Sequence, residues 1–394
     1  MTRMSGLPLP AALAEVDVPG LHHWLAGHRA EMVEDLVRYA GLETPSDDLE
    51  LLGEGLEYLD SWVAERLGPA AGRARHKSDE HGDVLVLESP GDPTLTLLAH
   101  YDTVWGAGTL ADWPVRVVDD TISGPGVFDM KAGLVQAVWA IRALRAAGLP
   151  VPGLRLVLNG DEEIGSPFSR PIIERACAGA AAVLVFEASA DGAIKTSRKG
   201  VGLFDIEVRG VQAHAGLDHA AGASAIDEIA RLVRTLHAAS DPAEGTTVNV
   251  GLVSGGTRRN VVAGQAFAGV DVRVSSARAQ ERIDQLLAGL RTYDPRTELT
   301  VRGGWNRPVM ERSEPIAALY SLASAAAAEL GGNLRETGVG GASDGNFAAA
   351  MGLPVLDGLG AIGAGAHARH EQVSIDGMLE RAAVAAAVIT AFAL

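Results

Sequence analysis

In the first half of the chain, short apolar runs alternate with longer segments whose apolar residues recur at helical intervals. Residues from about His22 to Leu67 read as helical, with breaks near Gly41 and Pro45. Val84–Leu87 reads as a strand, Pro90-Gly91-Asp92-Pro93 turns the chain, and Leu95–Leu98 is a second strand ending at His100. From Met130 to Ala147, Leu134, Val135, Val138, Trp139 and Ile141 fall close to helical spacing, and Gly148 and Pro150 stop that helix. Leu154–Leu158 is a strand running into Gly160-Asp161-Glu162-Glu163, and Ala182–Phe186 is another, ending at Glu187. Fully apolar strands alternating with helices predict an α/β fold with a mostly parallel sheet covered by helices.

The pattern changes after Gly200. Phe204, Ile206 and Val208 alternate with Asp205, Glu207 and Arg209, as on a half-exposed strand. A helix over about Ala223–Ala238 follows, then strands at Val248–Leu252 and Val270–Val274, a helix over about Ala279–Leu290 and a strand near Leu299–Val301. This β-α-β-β-α-β order is that of a ferredoxin-like unit. Helical and buried-strand patterns then return at Ala317–Leu330, Pro354–Leu356 and from Ile375 on. The expected organisation is therefore one domain over residues 1–199 and 310–394, interrupted by an inserted domain over 200–309.

Composition narrows the function. The 394 residues are 47% hydrophobic and 21% charged, ordinary values for a globular chain with a sizeable core. The net charge of -17 argues against nucleic acid or an anionic membrane as partner, since both favour a basic face. No apolar run reaches the ~18 residues of a membrane span. The start, MTRMSGLPLPAALAEVD, lacks a long apolar stretch behind a basic end, so no secretory leader is expected. The single cysteine, Cys177, allows no intrachain disulfide and suits a reducing compartment, so a cytoplasmic location is expected. Its small-residue surroundings fit a packed thiol rather than a nucleophile.

The candidate chemistry sits where the chain leaves its strands, the place where open α/β sheets present ligands. His100 ends one strand, two residues before Asp102. Asp129 precedes a helix, Glu162-Glu163 follow a strand among glycines, Glu187 ends another, and His367 lies in a Gly-rich turn with His370 nearby. Each has a plainer reading: a surface histidine, a helix cap for Asp129, a solvated acidic turn. Spacing alone does not choose between His367 and His370. Carboxylates gathered with imidazoles favour zinc or a similar transition metal over calcium.

The segments HYDTV, GPGVFDMKAG, GDEEIGS, FEAS and AHARHE, in this order, resemble the M20 family of dinuclear zinc metallopeptidases, most closely its carboxypeptidase G2 (glutamate carboxypeptidase) branch. The likeness spans nearly the whole chain, inserted domain included. It implies a zinc-exopeptidase-like domain with two zinc ions per subunit, cobalt or manganese being able to replace them. His100 and Glu187 would bind one ion, Glu163 and His367 the other, and Asp129 would bridge them. It also implies a cis peptide at Asp129-Met130, Glu162 as the general base and Asp102 as the support of His100. His214 of the inserted lid domain would stabilise the oxyanion, and Asn260, Arg307 and Arg273 would hold a substrate carboxylate. Gly338–Asn346 (GVGGASDGN) resembles a pocket-lining loop, with the cap of a following helix as its plainer role. A homodimer through the lid is expected by the same likeness. The expected reaction is cleavage of an amide bond to a C-terminal amino acid, glutamate above all, in a small peptide or N-acyl amino acid. An aminoacylase or N-acyl-amino-acid deacetylase would use the same site, and a non-catalytic ligand-binding homologue would keep the ligands without the base.

Overall fold

The computed structural model describes Leu7 and residues 10–394, so the leader expectation for the first residues falls largely outside the described part. Two compact units form: residues 1–196 with 312–339 and 343–394, and residues 197–311 with 340–342.

The first unit is built on a six-stranded sheet in the spatial order Gly72–His76, Val84–Glu88, Gly153–Asn159, Pro93–His100, Ala182–Val185, Val355–Leu356. The first two junctions are antiparallel with their neighbours, and the last three are parallel. Leu95, Leu97, Leu98, Leu156, Val157 and Val183–Phe186 are buried, as expected for strands covered on both faces. The helices Ala132–Ala146 and Ile375–Ala391 are buried along almost their entire lengths. Their alanines let the backbones pack closely. Gly133 of the first helix lies against the sheet, where a Cβ would stand 1.8 Å from the carbonyl oxygen of Phe186, just past the strand Ala182–Val185.

Several elements differ from the sequence reading. Three N-terminal helices form, Val18–Gly27, Arg29–Ala40 and Leu49–Leu67, the first break falling at His28. Gly72–His76 is a polar edge strand with no apolar alternation to reveal it. A second, four-stranded sheet orders Gly363–Ala364, Gln372–Ser374, Thr121–Ser123 and Arg116–Val118, all antiparallel. These strands are two or three residues long, too short to show a period. Asp129 caps no helix: Lys131 precedes Ala132–Ala146, and Asp129 sits in the non-helical part of the turn Val127–Lys131, with a cis bond to Met130.

The inserted unit has the expected β-α-β-β-α-β order, with strands Gly200–Arg209, Thr247–Gly255, Gln265–Val274 and Glu298–Arg307 and helices Ala225–His237 and Ala277–Gly289. The sheet order places Thr247–Gly255 and Glu298–Arg307 at the edges and is antiparallel throughout. Phe204, Ile206 and Val208 join a separate core with Ile229, Leu232, Ile283 and Leu287 from the helices.

Candidate metal centre

Sheet register brings the first candidate side chains together. His100 lies beside Asn159 in the parallel pairing, so the chain leaving that neighbour carries Glu162 and Glu163 over the same sheet end. Leu98 pairs with Val185, which sets Glu187 level with His100. Asp129 arrives from the turn before the helix Ala132–Ala146, and His367 from the loop of the hairpin Gly363–Ala364/Gln372–Ser374. The small sheet joins these last two segments.

The side chains meet as two triads sharing Asp129. His100 Nε2 is 3.3 Å from Asp129 Oδ1 and 3.4 Å from Glu187 Oε1. His367 Nε2 is 3.3 Å from Asp129 Oδ2 and 3.2 Å from Glu163 Oε2. Within each triad the possible ligand atoms all lie within 4.8 Å of one another. His367, not His370, is the histidine that meets these carboxylates.

These separations are long for charge-assisted hydrogen bonds, which run at about 2.7–2.9 Å. They match the edge of a tetrahedron whose ligands stand about 2.0–2.1 Å from a central ion, roughly 3.3–3.4 Å. Asp129 Oδ1 and Glu163 Oε1 are buried yet accept no hydrogen bond. The residues therefore fit a pair of N/O-ligated cations, with Asp129 offering a different oxygen to each. His100 and Glu187 are buried, whereas the His367 side chain is 53% exposed, so the second triad is open to solvent.

The electrostatics also favour positive charge here. Burial opposes protonation of His100, but Asp102, Asp129 and Glu187 outweigh it and hold the ring well above its ordinary value. Asp129 and Glu163 lift His367 to about 10. Burial pushes the Glu163 carboxyl up to about 7, with the Asp129 charge adding to it. Burial works against the Asp129 carboxylate too, but the two histidines hold it far below the usual range.

Asp102 works differently from the simple expectation. His100 Nδ1 is 3.0 Å from the Asp102 backbone carbonyl and 3.4 Å from its carboxylate, so the carbonyl is the closer anchor of the ring. The buried carboxylate instead accepts the backbone amides of Glu162 (3.2 Å) and Glu163 (3.1 Å) and the Ser46 hydroxyl (2.8 Å). It ties the His100 strand to the short 3-10 turn Glu162–Ile164. Ser46 was missed from sequence, since no spacing links it to Asp102.

The remaining candidates lie in the inserted unit. His214 is exposed, and its Nδ1 accepts the amides of Gly216 (3.2 Å) and Leu217 (3.1 Å). Backbone amides only donate, so Nδ1 is unprotonated and Nε2 carries the proton of the neutral ring. The His214 turn is held against Asn260–Val262 by backbone bonds. Arg307 is buried, while Arg273 already makes a two-pronged pair with Asp271, both contacts at 2.9 Å. Of the Gly-rich segment, residues 340–342 belong to the second unit and 343–346 to the first, where Ser343 Oγ accepts the Gly345 amide; the residue at the N-cap of the helix Gly345–Ala350, Asp344, makes no capping bond with its side chain.

The profile of peptidase family M20/M25/M40 matches residues 96–391. The chain is 29% identical over 376 residues to carboxypeptidase G2 of a Pseudomonas species, covering 91% of this chain and 88% of that protein. It is 32% identical over 213 residues to acetylornithine deacetylase of Myxococcus xanthus, covering 51% and 55% of the two chains. In fold it is similar to aminopeptidase PepT from Bacillus cereus (TM-score 0.74, 19% identity, 93% of this chain and 99% of that one). It is likewise similar to the M20 family metallo-carboxypeptidase Sso-CP2 from Sulfolobus solfataricus (TM-score 0.68, 19% identity, 92% and 99%).

Proposed function

This chain belongs to peptidase family M20/M25/M40, and on that premise we propose that it is a dinuclear zinc hydrolase that releases a C-terminal amino acid, glutamate foremost, from a small peptide or N-acyl conjugate. The observation that carries this reading is the pair of triads sharing Asp129 at 3.2–3.4 Å separations. His100, Glu187 and Asp129 would hold one cation, and Glu163, His367 and Asp129 the other. When bound, such a pair lowers the pKa of a water between them toward ~7 and polarises the scissile carbonyl. Cobalt or manganese would suit the same nitrogen and oxygen ligands.

Glu162 takes the proton of the attacking water and delivers it to the leaving amine. Its neighbour Glu163 is committed to the second triad, and the Asp102 carboxylate fixes the amides of both. His214 offers its Nε2 proton to the developing oxyanion. Asn260 and Arg307 hold the substrate carboxylate, a task for which the planar guanidinium is suited. Arg273 would first have to leave Asp271.

A homodimer through the inserted unit belongs to this reading. The edge strand Thr247–Gly255 exposes Leu252 (67%) and Val253 (61%), a surface that a second copy would cover. Cytoplasmic action is part of it too, supported by a lone cysteine that is buried and unpaired.

A deacylase acting on N-acyl amino acids is the second reading, favoured by the similarity to acetylornithine deacetylase. Metal analysis, followed by assays of a folyl-glutamate, dipeptides and N-acetyl amino acids with added zinc, separates the two. Turnover of N-acetyl amino acids alone would replace the carboxypeptidase reading. Glu162→Gln is expected to keep its metal and lose turnover; near-wild-type activity would remove Glu162 from the role of base.

A further inference from the structure

Glu371 is fully buried, and its carboxylate forms no ion pair among the described residues. It accepts four N–H donors instead. Oε1 takes the amides of Phe128 (2.9 Å) and Asp129 (3.0 Å). Oε2 takes the amide of Gly126 (2.9 Å) and the indole Nε1 of Trp105 (2.9 Å). Three of these donors belong to the turn that presents Asp129. These amides precede the helix Ala132–Ala146, whose N–H groups bond backward to earlier carbonyls, so their acceptors must come from outside the helix. A buried amide left without a partner is destabilising, so the Glu371 carboxylate meets a real need of this turn.

The same residue closes the turn that directly follows the one presenting His367. The Glu371 amide donates to the Ala368 carbonyl (2.9 Å), and the Ala368 amide to the Gly365 carbonyl (2.8 Å). His367 lies inside the first of these two turns, Gly365–Ala368, at φ 60°, a left-handed conformation uncommon for a side-chain-bearing residue. The Gly124 amide donates to the Glu371 carbonyl, and Gln372–Ser374 pairs with Thr121–Ser123. One residue thus joins the backbones of two segments whose side chains meet at Asp129 Oδ2 and His367 Nε2.

We infer that Glu371 is a positioning residue: its carboxylate, carried on the segment just after the His367 turn, holds the amides of Gly126, Phe128 and Asp129 and so fixes the Asp129 carboxylate against the second triad. The inference rests on the reading that these triads hold metal. A purely architectural glutamate would stabilise the fold without changing the ligand field. A positioning residue also changes how tightly, and in what geometry, metal is held.

The test is zinc affinity by chelator competition, together with the visible spectrum of the cobalt-loaded protein, on wild type and Glu371→Gln. Glutamine keeps the size but places an amide donor against one pair of N–H groups. Zinc affinity is expected to fall ~10–100-fold, the usual range for groups that orient metal ligands, with an altered cobalt spectrum. Trp105→Phe, which removes one donor from Oε2, is expected to weaken zinc less than tenfold. Glu371→Asp replaces the glutamine variant if that fails to fold. It retains the charge but withdraws the carboxylate by one methylene, and the same direction of change is expected. Wild-type affinity and an unchanged spectrum in the folded variant would overturn the inference while leaving the metal reading intact. Wild-type protein that takes up no zinc would overturn the metal reading itself.

Discussion

Asp102→Asn tests how the base-bearing turn is held. In the wild type, Oδ1 faces the Glu162 amide at 3.2 Å, and Oδ2 faces the Glu163 amide at 3.1 Å and the Ser46 hydroxyl at 2.8 Å. Asparagine has one acceptor oxygen. If that oxygen keeps Glu163 and Ser46, the new NH2 group points at the Glu162 amide, donor against donor. The variant loses one charge-assisted hydrogen bond, ~1.5–3 kcal/mol, and strands a partly buried amide at ~1–3 kcal/mol. Relaxing that clash displaces Glu162, and ~1.4–2.8 kcal/mol of lost transition-state stabilisation corresponds to roughly 10–100-fold in rate. The expectation is therefore a ~10–100-fold drop in kcat with KM changed less than about threefold, since no substrate contact is removed. Ser46→Ala deletes only one neutral donor to the same carboxylate and is expected to cost less than tenfold. The assay is steady-state hydrolysis of the best substrate from the panel above, with zinc content measured on the same samples. An Asp102→Asn enzyme within twofold of wild-type kcat, with both ions bound, would refute the argument that this carboxylate sets the position of Glu162.

Three further outcomes are expected. His214→Ala should lower kcat about 100- to 1,000-fold, the scale of one oxyanion donor, while zinc content is unchanged; metal loss in this variant would contradict its assignment to the oxyanion. Burial pushes the Cys177 thiol up to about 12, so a thiol reagent at pH 8 should label it only after unfolding, and stoichiometric labelling of native protein would show the site is open. For Asp120, burial opposes the charge, but Ser374, Arg29 and the Asp376 amide outweigh it and hold the carboxyl below its ordinary value. A depressed folded value means stability that is present above the unfolded pKa, ~3.9, and lost as pH falls through the folded one. Asp120→Asn should therefore melt below wild type near neutrality, with the gap closing under about pH 4; a gap constant with pH would exclude this linkage.

The strands that carry the two triads were legible because buried parallel strands are written as unbroken apolar runs, and the turns bearing the triad residues follow them directly. Alternation likewise exposed the inserted unit, where Ile206 and Val208 face a core and Asp205 and Arg209 do not. The small sheet was not legible. Arg116–Val118 and Gly363–Ala364 are too short and too exposed to carry a period, and their pairing is set by the rest of the fold. Contacts made through backbone amides were hidden for a related reason. The acceptors Asp102 and Glu371 are visible as acids, but their donors leave no trace in residue type. In the sequence Glu371 stands only as the last residue of the segment AHARHE.

The small sheet also orders events during protein synthesis. Its inner pair, Thr121–Ser123 with Gln372–Ser374, cannot zip together until translation has passed residue 374. His100, Asp129 and Glu187 are all made in the first half of the chain, whereas His367 is made near the end. A polypeptide stalled on the ribosome before that histidine carries only half a centre. The second triad can therefore assemble only once nearly the whole chain has been made.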